Sequence, residues 1–423
     1  MKLILKMKSV IALLSAGVIL IGILLIGTVT IHHKEMNELF AAWITQDNYR
    51  HIRIVDCAGR DIYDGSFAEA DDVRLSTFHL IGDRDGSIPE ALLTKTVPTL
   101  GAISKVSGFA ESAADIELTI DLDIQTAAYR LLTEEGLNGA VVVADYQTGE
   151  IKAIVSTPSV DPIDKSYIPS EAFLNKALMT YTPGSIFKTV TAAAALEKAS
   201  QAKSFAFRCN GANEHVVCYG HTAHGHVTLC DALLKSCNCC ISELAKTYLS
   251  GDALDSFATK CCILSDEAVA DMPARAGAID ADADLMWSAN GQGKDLCSPV
   301  GVAAYYGALA NDGCYTQLKI RQKTETKKPR RIMSSYTSRY IVDALTPLCE
   351  NAGMSCRAFG KTGTAEIDDD VSHAWFACAL CDEAQPPFVI VTFIEHGGFS
   401  TVARELAVQL VNQYIVEDKG NDQ

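Results

Sequence analysis

The chain has 423 residues, 48% of them hydrophobic, and a formal net charge of −16. This length allows one large domain or two, and the acidic balance argues against nucleic acid as a partner. The fifteen cysteines are an odd number, so they cannot all pair within the chain. The simplest interpretation is that they serve as small buried hydrophobic residues.

The first segment with a distinct pattern runs from Ser9 to Ile31 and is uncharged and nearly all apolar. As a helix it would measure roughly 34 Å, enough to cross a hydrocarbon core of roughly 30 Å. The positive-inside rule applies because lysines precede it. We predict a single-pass anchor over 9–31 in the cell membrane, with residues 1–8 in the cytoplasm and the rest outside. The alternative is a cleaved signal peptide, but no small-x-small cleavage pattern follows Ile31.

Residues 32–118 show a mixed pattern of short apolar runs and turn residues, without a long periodic helix. We interpret this stretch as a small pedestal or stalk domain, in which Gly59–Gly65 forms a turn between strands. A second domain then extends over 119–423.

The second domain alternates between helix patterns and strand patterns. An amphipathic helix (124–135) precedes a β-hairpin, and a mostly helical region follows. The hairpin strands lie at 139–145 and 150–156. The three late apolar runs lie at 357–366, 373–380 and 388–395, and the final helix lies at 401–416. We therefore predict an α+β fold with an antiparallel five-stranded sheet covered by helices.

The most informative stretch runs from Thr182 to Lys188 and reads Thr-Pro-Gly-Ser-Ile-Phe-Lys. The Pro-Gly pair interrupts the preceding structure and good helix formers follow, so a helix should begin near Ser185. Ser185 and Lys188 would then share one face of its first turn. This is a nucleophile arrangement, because burial and the helix N-terminus both lower the pKa of a lysine. A second Ser-x-x-Lys match, Ser200–Lys203, is interpreted as polar helix surface or loop.

Two further short motifs follow in order. Ser236-Cys237-Asn238 is followed by helical sequence and would present a hydroxyl and an amide to one cleft, although a plain helix N-cap has the same composition. Lys361-Thr362-Gly363-Thr364 lies in the first late run. Its glycine, with Gly360 before the lysine, indicates close approach of a ligand to the strand backbone. A turn between strands is the alternative.

The three motifs match, in order, the set known from penicillin-recognising serine enzymes. The chain resembles a class B penicillin-binding protein, a monofunctional peptidoglycan transpeptidase, over roughly Leu118 to Val416. The resemblance implies the penicillin-binding/β-lactamase-like transpeptidase fold with a small N-terminal pedestal. It also includes the sequences Gly139–Val143, Ser156–Ser159, Gly291–Gly293 and His373–Phe376.

The resemblance implies a catalytic role for the first two motifs. Ser185 would attack the penultimate D-alanine carbonyl of a peptidoglycan stem peptide and release the last D-alanine, with Lys188 as general base. Ser236 and Asn238 would relay protons and position the peptide. The acyl group would pass to the amine of a second stem peptide and form a crosslink, and β-lactam antibiotics would acylate the same serine.

The third motif would bind the substrate. The resemblance assigns the terminal carboxylate to Lys361, which it also counts among the catalytic groups, and to Thr362. The oxyanion hole would consist of the backbone N–H groups of Ser185 and Thr364. Gly363 lies between the two threonines on the same substrate-binding strand.

The segment before Thr119 departs from the family pattern. It is short, and the usual Arg-Gly-x-Ile-x-Asp signature is only loosely present at Arg60–Asp64. This shortness resembles the penicillin-binding protein A-like members. We recognise no glycosyltransferase sequence, so the resemblance implies a separate SEDS-type glycosyltransferase partner in the membrane.

The alternative functions are a β-lactam-binding sensor and a D,D-carboxypeptidase. Sensors join the domain to several membrane spans or to a cytoplasmic effector, whereas a single span is predicted here. A β-lactamase would need a route to hydrolyse the acyl-enzyme. A non-catalytic scaffold would not need all three motifs intact.

We expect no cofactor and no metal, although one cysteine- and histidine-rich stretch contains zinc-type ligands. Its spacings match no standard zinc finger. This favours loop residues without metal, or one local disulfide, over a structural zinc. The candidate ligands are Cys209, Cys218, His224 and Cys230.

Overall fold

The computed structural model describes residues 49–100, 114–164, 169–282, 284–368 and 371–416. Its strands, in chain order, are β1 (Ile52–Val55), β2 (Asp61–Asp64), β3 (Ala114–Glu117), β4 (Gly139–Asp145), β5 (Ile151–Thr157), β6 (Ala206–Cys209), β7 (Gly225–Thr228), β8 (Cys314–Tyr315), β9 (Arg330–Arg331), β10 (Ala358–Asp368), β11 (Val371–Leu380) and β12 (Phe388–Ile394).

The central sheet has five strands in the order β10-β11-β12-β4-β5, and every neighbouring pair is antiparallel. These are the predicted hairpin and the three predicted late runs, so the predicted sheet is confirmed. The pairing of β12 with β4, from Phe388 opposite Asp145 to Ile394 opposite Gly139, joins the two ends of the domain. The helical region between β5 and β10 is thereby held as one insertion.

The helices are α1 (Asp71–Ile81), α2 (Leu92–Leu100), α3 (Leu122–Glu134), α4 (Lys188–Lys198), α5 (Leu229–Leu234), α6 (Asn238–Tyr248), α7 (Gly251–Lys260), α8 (Leu285–Ser288), α9 (Pro299–Ala310), α10 (Ser335–Asn351) and α11 (Thr401–Leu410). The predicted helices at 124–135 and 401–416 correspond to α3 and to α11, which continues into a π-helical turn over Val411–Ile415.

Both faces of the sheet are covered by helices. Successive strand residues point to opposite sides, so each strand contributes to both cores. On β4, Val142 and Ala144 pack into a core shared with α4 and α9. Val141 and Val143 pack into a second core shared with α3 and α11. This explains why the central strands read as continuous apolar runs rather than as alternating patterns.

The part before residue 119 contains a three-stranded sheet in the order β2-β1-β3, in which β1 and β3 are parallel. It also contains α1 and α2, although the sequence indicated no long periodic helix there. Helix α1 buries Arg74 and His79 together with two hydroxyl side chains, so it lacks the apolar spacing that identifies a helix. Arg74 pairs with Asp71 and with Asp161, and thus ties α1 to the larger domain.

The predicted turn at Gly59–Gly65 is shorter than expected, because Asp61–Asp64 itself forms β2. The predicted anchor at 9–31 and the tail at 1–8 lie outside the described residues. Within the described part of the chain, no helix combines the length and the apolar composition needed to cross a membrane.

Candidate active site

Ser185 lies in a 3-10 turn, Gly184–Phe187, that leads into α4 at Lys188. We call this the nucleophile turn. The regular α-helix therefore begins after Ser185 rather than at it, because the first turn is wound more tightly. Gly184 has a φ of +57°, and a Cβ added there would lie 2.6 Å from the carbonyl oxygen of Thr364. Glycine is required here, since any side chain would collide with β10.

Lys188 is the centre of the site. Its Nζ lies 2.6 Å from Ser185 Oγ, 3.0 Å from Ser236 Oγ and 2.6 Å from Asn238 Oδ1. It also donates to the Ser236 carbonyl oxygen at 3.2 Å. The lysine is 1% exposed, so these oxygen atoms replace the water that an exposed ammonium group would bind.

The two lysines of the motifs have lowered pKa values. Burial lowers the pKa of Lys188 to about 8, and neighbouring cysteine thiols oppose part of this shift. Burial, and secondly the charge of Lys188, lower the pKa of Lys361 well below its ordinary value. Because a lower pKa favours the neutral amine, Lys188 can accept a proton from Ser185 near neutral pH.

Ser236 and Asn238 lie at the start of α6, as predicted. Asn238 is the first helical residue and Cys237 is the N-cap. Ser236 has a φ of +55°, a left-handed conformation that is uncommon for residues other than glycine. The Asn238 Nδ2 donates to the carbonyl oxygen of Val217 at 2.6 Å, which directs the amide oxygen toward Lys188.

The Ser288-Ala289-Asn290 sequence resembles this motif but has a supporting position. Asn290 Nδ2 donates to Ser242 Oγ at 2.8 Å and lies 3.5 Å from the Asn238 carbonyl oxygen. Asn290 therefore holds the first turns of α6 in place. No local sequence pattern indicates this contact, because it joins two segments distant along the chain.

The Lys361–Thr364 motif lies on β10, as predicted. Lys361 is fully buried and its Nζ donates to the carbonyl oxygen of Thr362 at 3.0 Å. A Cβ added at Gly363 would lie 2.9 Å from the carbonyl oxygen of Pro183. In the structure, the close neighbour of Gly363 is thus the backbone entering the nucleophile turn.

An open cleft of about 600 Å³ adjoins the three motifs. Two exposed aromatic residues also line it, Tyr219 and Phe399, whose rings meet edge to face with centroids 6.2 Å apart. Sequence reasoning missed both, because a single aromatic residue in a loop has no periodic signal. The motif residues lining the cleft are Ser185, Ser236, Asn238, Thr362 and Thr364.

Two buried aromatic residues fix the nucleophile turn. Trp375 Nε1 donates to the carbonyl oxygen of Thr182 at 2.9 Å, and the Tyr306 hydroxyl donates to that of Ile186 at 3.0 Å. These two bonds hold the backbone on both sides of Ser185. Trp375 belongs to the His373–Phe376 sequence, so the structure gives that sequence a positioning role.

Three of the four candidate metal ligands lie together, and the fourth, Cys230, lies apart from them. Among the described residues, Cys209, Cys218 and His224 form a group with Cys237. Cys230 instead lies on α5 and interacts with Tyr340. Sequence spacing could not distinguish Cys230 from Cys237 as the fourth candidate ligand. Cys237 is also the middle residue of the predicted Ser236–Asn238 motif.

Residues 139–415 match the family model described as the penicillin binding protein transpeptidase domain. The chain belongs to the penicillin-binding protein transpeptidase family.

Two curated relatives of this penicillin-binding protein are named peptidoglycan D,D-transpeptidases. Peptidoglycan D,D-transpeptidase FtsI of Escherichia coli strain K12 is 24% identical over 319 residues, covering 67% of this chain and 52% of FtsI. The chain thus spans about half the length of that relative. Peptidoglycan D,D-transpeptidase PbpA of Mycobacterium tuberculosis strain H37Rv is 26% identical over 335 residues, covering 67% of this chain and 68% of PbpA. These relatives confirm the resemblance to class B penicillin-binding proteins.

Among solved structures, penicillin-binding protein A of M. tuberculosis, in its ceftriaxone acyl-enzyme complex, is similar to the chain with a TM-score of 0.71. The identity is 20%, and the match covers 88% of this chain and 100% of that one. This likeness confirms the predicted transpeptidase fold.

Replacing Gly184 by alanine should reduce the acylation of Ser185 by about 100-fold, because a displacement of about 1 Å at a reacting group has an effect of this size. The new Cβ would collide with the Thr364 backbone and move the nucleophile turn away from β10. Labelling of the full chain with a fluorescent penicillin, followed over time, measures this rate.

Gly353→Ala is the matched control. Gly353 also has a positive φ, +80°, but a Cβ added there meets nothing within 4 Å. An equal loss of labelling in both variants, or normal labelling of Gly184→Ala, would contradict the role given to the close approach.

Proposed function

We propose that this penicillin-binding protein crosslinks peptidoglycan stem peptides by D,D-transpeptidation through an acyl-enzyme on Ser185. The proposal depends chiefly on Lys188, whose Nζ is 2.6 Å from Ser185 Oγ and whose pKa is lowered to about 8. The names of the relatives support this activity. The acyl-enzyme of the M. tuberculosis protein supports the same covalent step.

In the first half-reaction, neutral Lys188 takes the hydroxyl proton of Ser185, and Ser185 Oγ attacks the carbonyl carbon of the penultimate D-alanine. The amide C–N bond then breaks. Ser236 Oγ, 3.0 Å from Lys188 Nζ, relays the proton to the leaving nitrogen. The products are an ester on Ser185 and free D-alanine.

In the second half-reaction, the amine of an acceptor stem peptide attacks the ester carbonyl and loses a proton to Lys188. The ester bond breaks, and Lys188 returns a proton to Ser185 Oγ. The amide that forms is the crosslink. Asn238 Oδ1 is held 2.6 Å from Lys188 Nζ and keeps the amine directed at Ser185 in both half-reactions.

The β10 motif would hold the donor peptide. Thr362, which lines the cleft, would contact the terminal carboxylate directly. Lys361 is buried behind it, and an arriving carboxylate would favour its charged form. Gly363 keeps the strand close to the nucleophile turn, so that the N–H groups of Ser185 and Thr364 can stabilise the developing oxyanion.

The same proposal covers the whole chain. Residues 1–8 would be a cytoplasmic tail, 9–31 a membrane anchor, 32–118 a pedestal and 119–423 the extracytoplasmic catalytic domain. A SEDS-type glycosyltransferase in the same membrane would supply the glycan strands. Failure of a membrane polymerase to co-purify with the detergent-solubilised chain would argue against this partner.

The reaction itself can be tested with a stem-peptide donor and an amine acceptor. Mass spectrometry should find the crosslinked product with the wild-type chain and none with Ser185→Ala. A hydrolysed donor without any crosslink would favour D,D-carboxypeptidase activity. Acylation by penicillin without turnover of either peptide would favour a β-lactam sensor.

The roles of the nucleophile and its base have a separate readout. Lys188→Arg should abolish acylation by a fluorescent penicillin, because arginine keeps the charge but cannot act as a base. Ser200→Ala, at the second Ser-x-x-Lys sequence, should label normally. Mass mapping of the adduct to a residue other than Ser185, or near-normal labelling of Lys188→Arg, would refute the mechanism.

The rate of acylation should rise with pH through a midpoint of about 8 and then level off, since only neutral Lys188 can take the serine proton. Below the midpoint the rate should fall about tenfold per pH unit. Stopped-flow labelling between about pH 6 and about pH 9 measures the profile. A rate that is independent of pH, or that falls as pH rises, would contradict this role.

The topology proposal is tested by protease added to cells with a permeable outer envelope. The chain beyond His32 should be digested while a cytoplasmic marker protein stays intact, because the positive-inside rule places the catalytic domain outside. Full protection of the catalytic domain would overturn the proposed orientation.

A further inference from the structure

Four ligand-type side chains meet beside the Ser236–Asn238 motif. The ligand atoms of Cys209, Cys218, His224 and Cys237 all lie within 4.8 Å of one another. The distance from Cys218 Sγ is 3.6 Å to Cys209 Sγ and 3.8 Å to Cys237 Sγ, and Cys209 Sγ is 3.5 Å from His224 Nδ1. The three cysteines are buried.

The three shortest of these separations match those of a tetrahedral metal site. Zinc bonds of about 2.3 Å to sulfur and about 2.0 Å to nitrogen place sulfur atoms about 3.8 Å apart, and sulfur and nitrogen about 3.5 Å apart. The sulfur atoms of a disulfide would be about 2.0 Å apart. The observed group therefore has the spacing of metal ligands rather than that of a bonded cysteine pair.

We propose that Cys209, Cys218, His224 and Cys237 bind one structural zinc ion. Three thiolates and one imidazole are a usual ligand set for a closed structural zinc site. Cys239 Sγ lies 3.6 Å from Cys218 Sγ but bonds to the Val216 carbonyl oxygen. Cys239 is not part of the group whose ligand atoms all lie within 4.8 Å of one another, so we assign it as a neighbour of the site.

Most of the ligands lie in segments with little regular secondary structure. Cys209 is the last residue of β6, and Cys218 and His224 lie in the connection between β6 and β7. Within that connection the regular structure is one short 3-10 turn, Tyr219–His221. A shared zinc would fix this connection, which contributes Tyr219 to the cleft.

Cys237, the fourth ligand, would connect the zinc ion to the two catalytic residues beside it. This consequence rests on the proposed function. Cys237 stands between Ser236, whose φ of +55° is uncommon for serine, and Asn238. A Zn–S bond at Cys237 would hold this backbone conformation against relaxation. Cys237 is thus a positioning residue that acts through its two neighbours on Lys188.

X-ray absorption at the zinc edge tests the ligand set without any variant. The full chain, purified in detergent without chelator, should hold about one zinc with three sulfur neighbours at about 2.3 Å and one nitrogen at about 2.0 Å. Less than about a tenth of an equivalent of zinc, or a disulfide between Cys209 and Cys218 found by mass spectrometry, would overturn the proposal.

A pair of cysteine variants separates the ligand from a cysteine that is merely close in sequence. After dialysis against a mild chelator, Cys237→Ser should lose zinc at least about tenfold faster than wild type. Cys230→Ser should retain it as wild type does. Retention by Cys237→Ser, or loss from Cys230→Ser, would overturn the ligand assignment.

Cobalt(II) in place of zinc gives a visible spectrum that tests the positioning role. Acylation of Ser185 by a penicillin should shift the d–d bands, because Lys188 contacts both residues that flank Cys237. An unchanged spectrum on acylation would overturn this role.

The zinc site and the proposed function can be refuted independently of each other. Zinc bound by these ligands in a chain that penicillin does not label would refute the proposed function and support the metal site. Labelling of Ser185 in a chain without zinc would refute the metal site and support the proposed function.

Discussion

The contact between Lys188 and Ser185 is the interaction on which the site depends. An amine that is 1% exposed has lost its hydration, so its charged form is costly unless protein oxygens replace the water. The oxygens of Ser236 and Asn238 replace part of that water. The balance leaves the pKa of Lys188 at about 8, where the amine can both take and return a proton.

A second constraint is the closeness of two backbones. Gly184 and Gly363 allow the nucleophile turn and β10 to approach until no Cβ fits between them. Trp375, on the neighbouring strand β11, bonds to the backbone before the turn and fixes this approach. Because the site is built from main-chain positions on rigid elements, its geometry depends on sheet register as much as on the catalytic side chains.

The sequence alone determined the order of the motifs and the strands of the central sheet. The Pro-Gly lead-in and the alanine-rich run behind it placed a helix start near Ser185, and mainly apolar runs located all five strands of the central sheet. Such signals are local, since periodicity and turn chemistry depend on neighbouring residues. Helix α1 was missed because buried Arg74 and His79 interrupt its apolar face.

Only the tertiary structure decided which residues meet. Lys188 contacts Asn238, Asn290 supports α6, and Tyr219 pairs with Phe399. The group of ligand-type side chains likewise contains Cys237 and not Cys230. Each of these contacts joins segments far apart in the chain. Sequence spacing does not encode such contacts, because loop closure and packing set them. The chemical groups available to the site thus follow from the sequence alone. The packing of α4, α6 and β10 sets their distances and the depth of burial that lowers the Lys188 pKa.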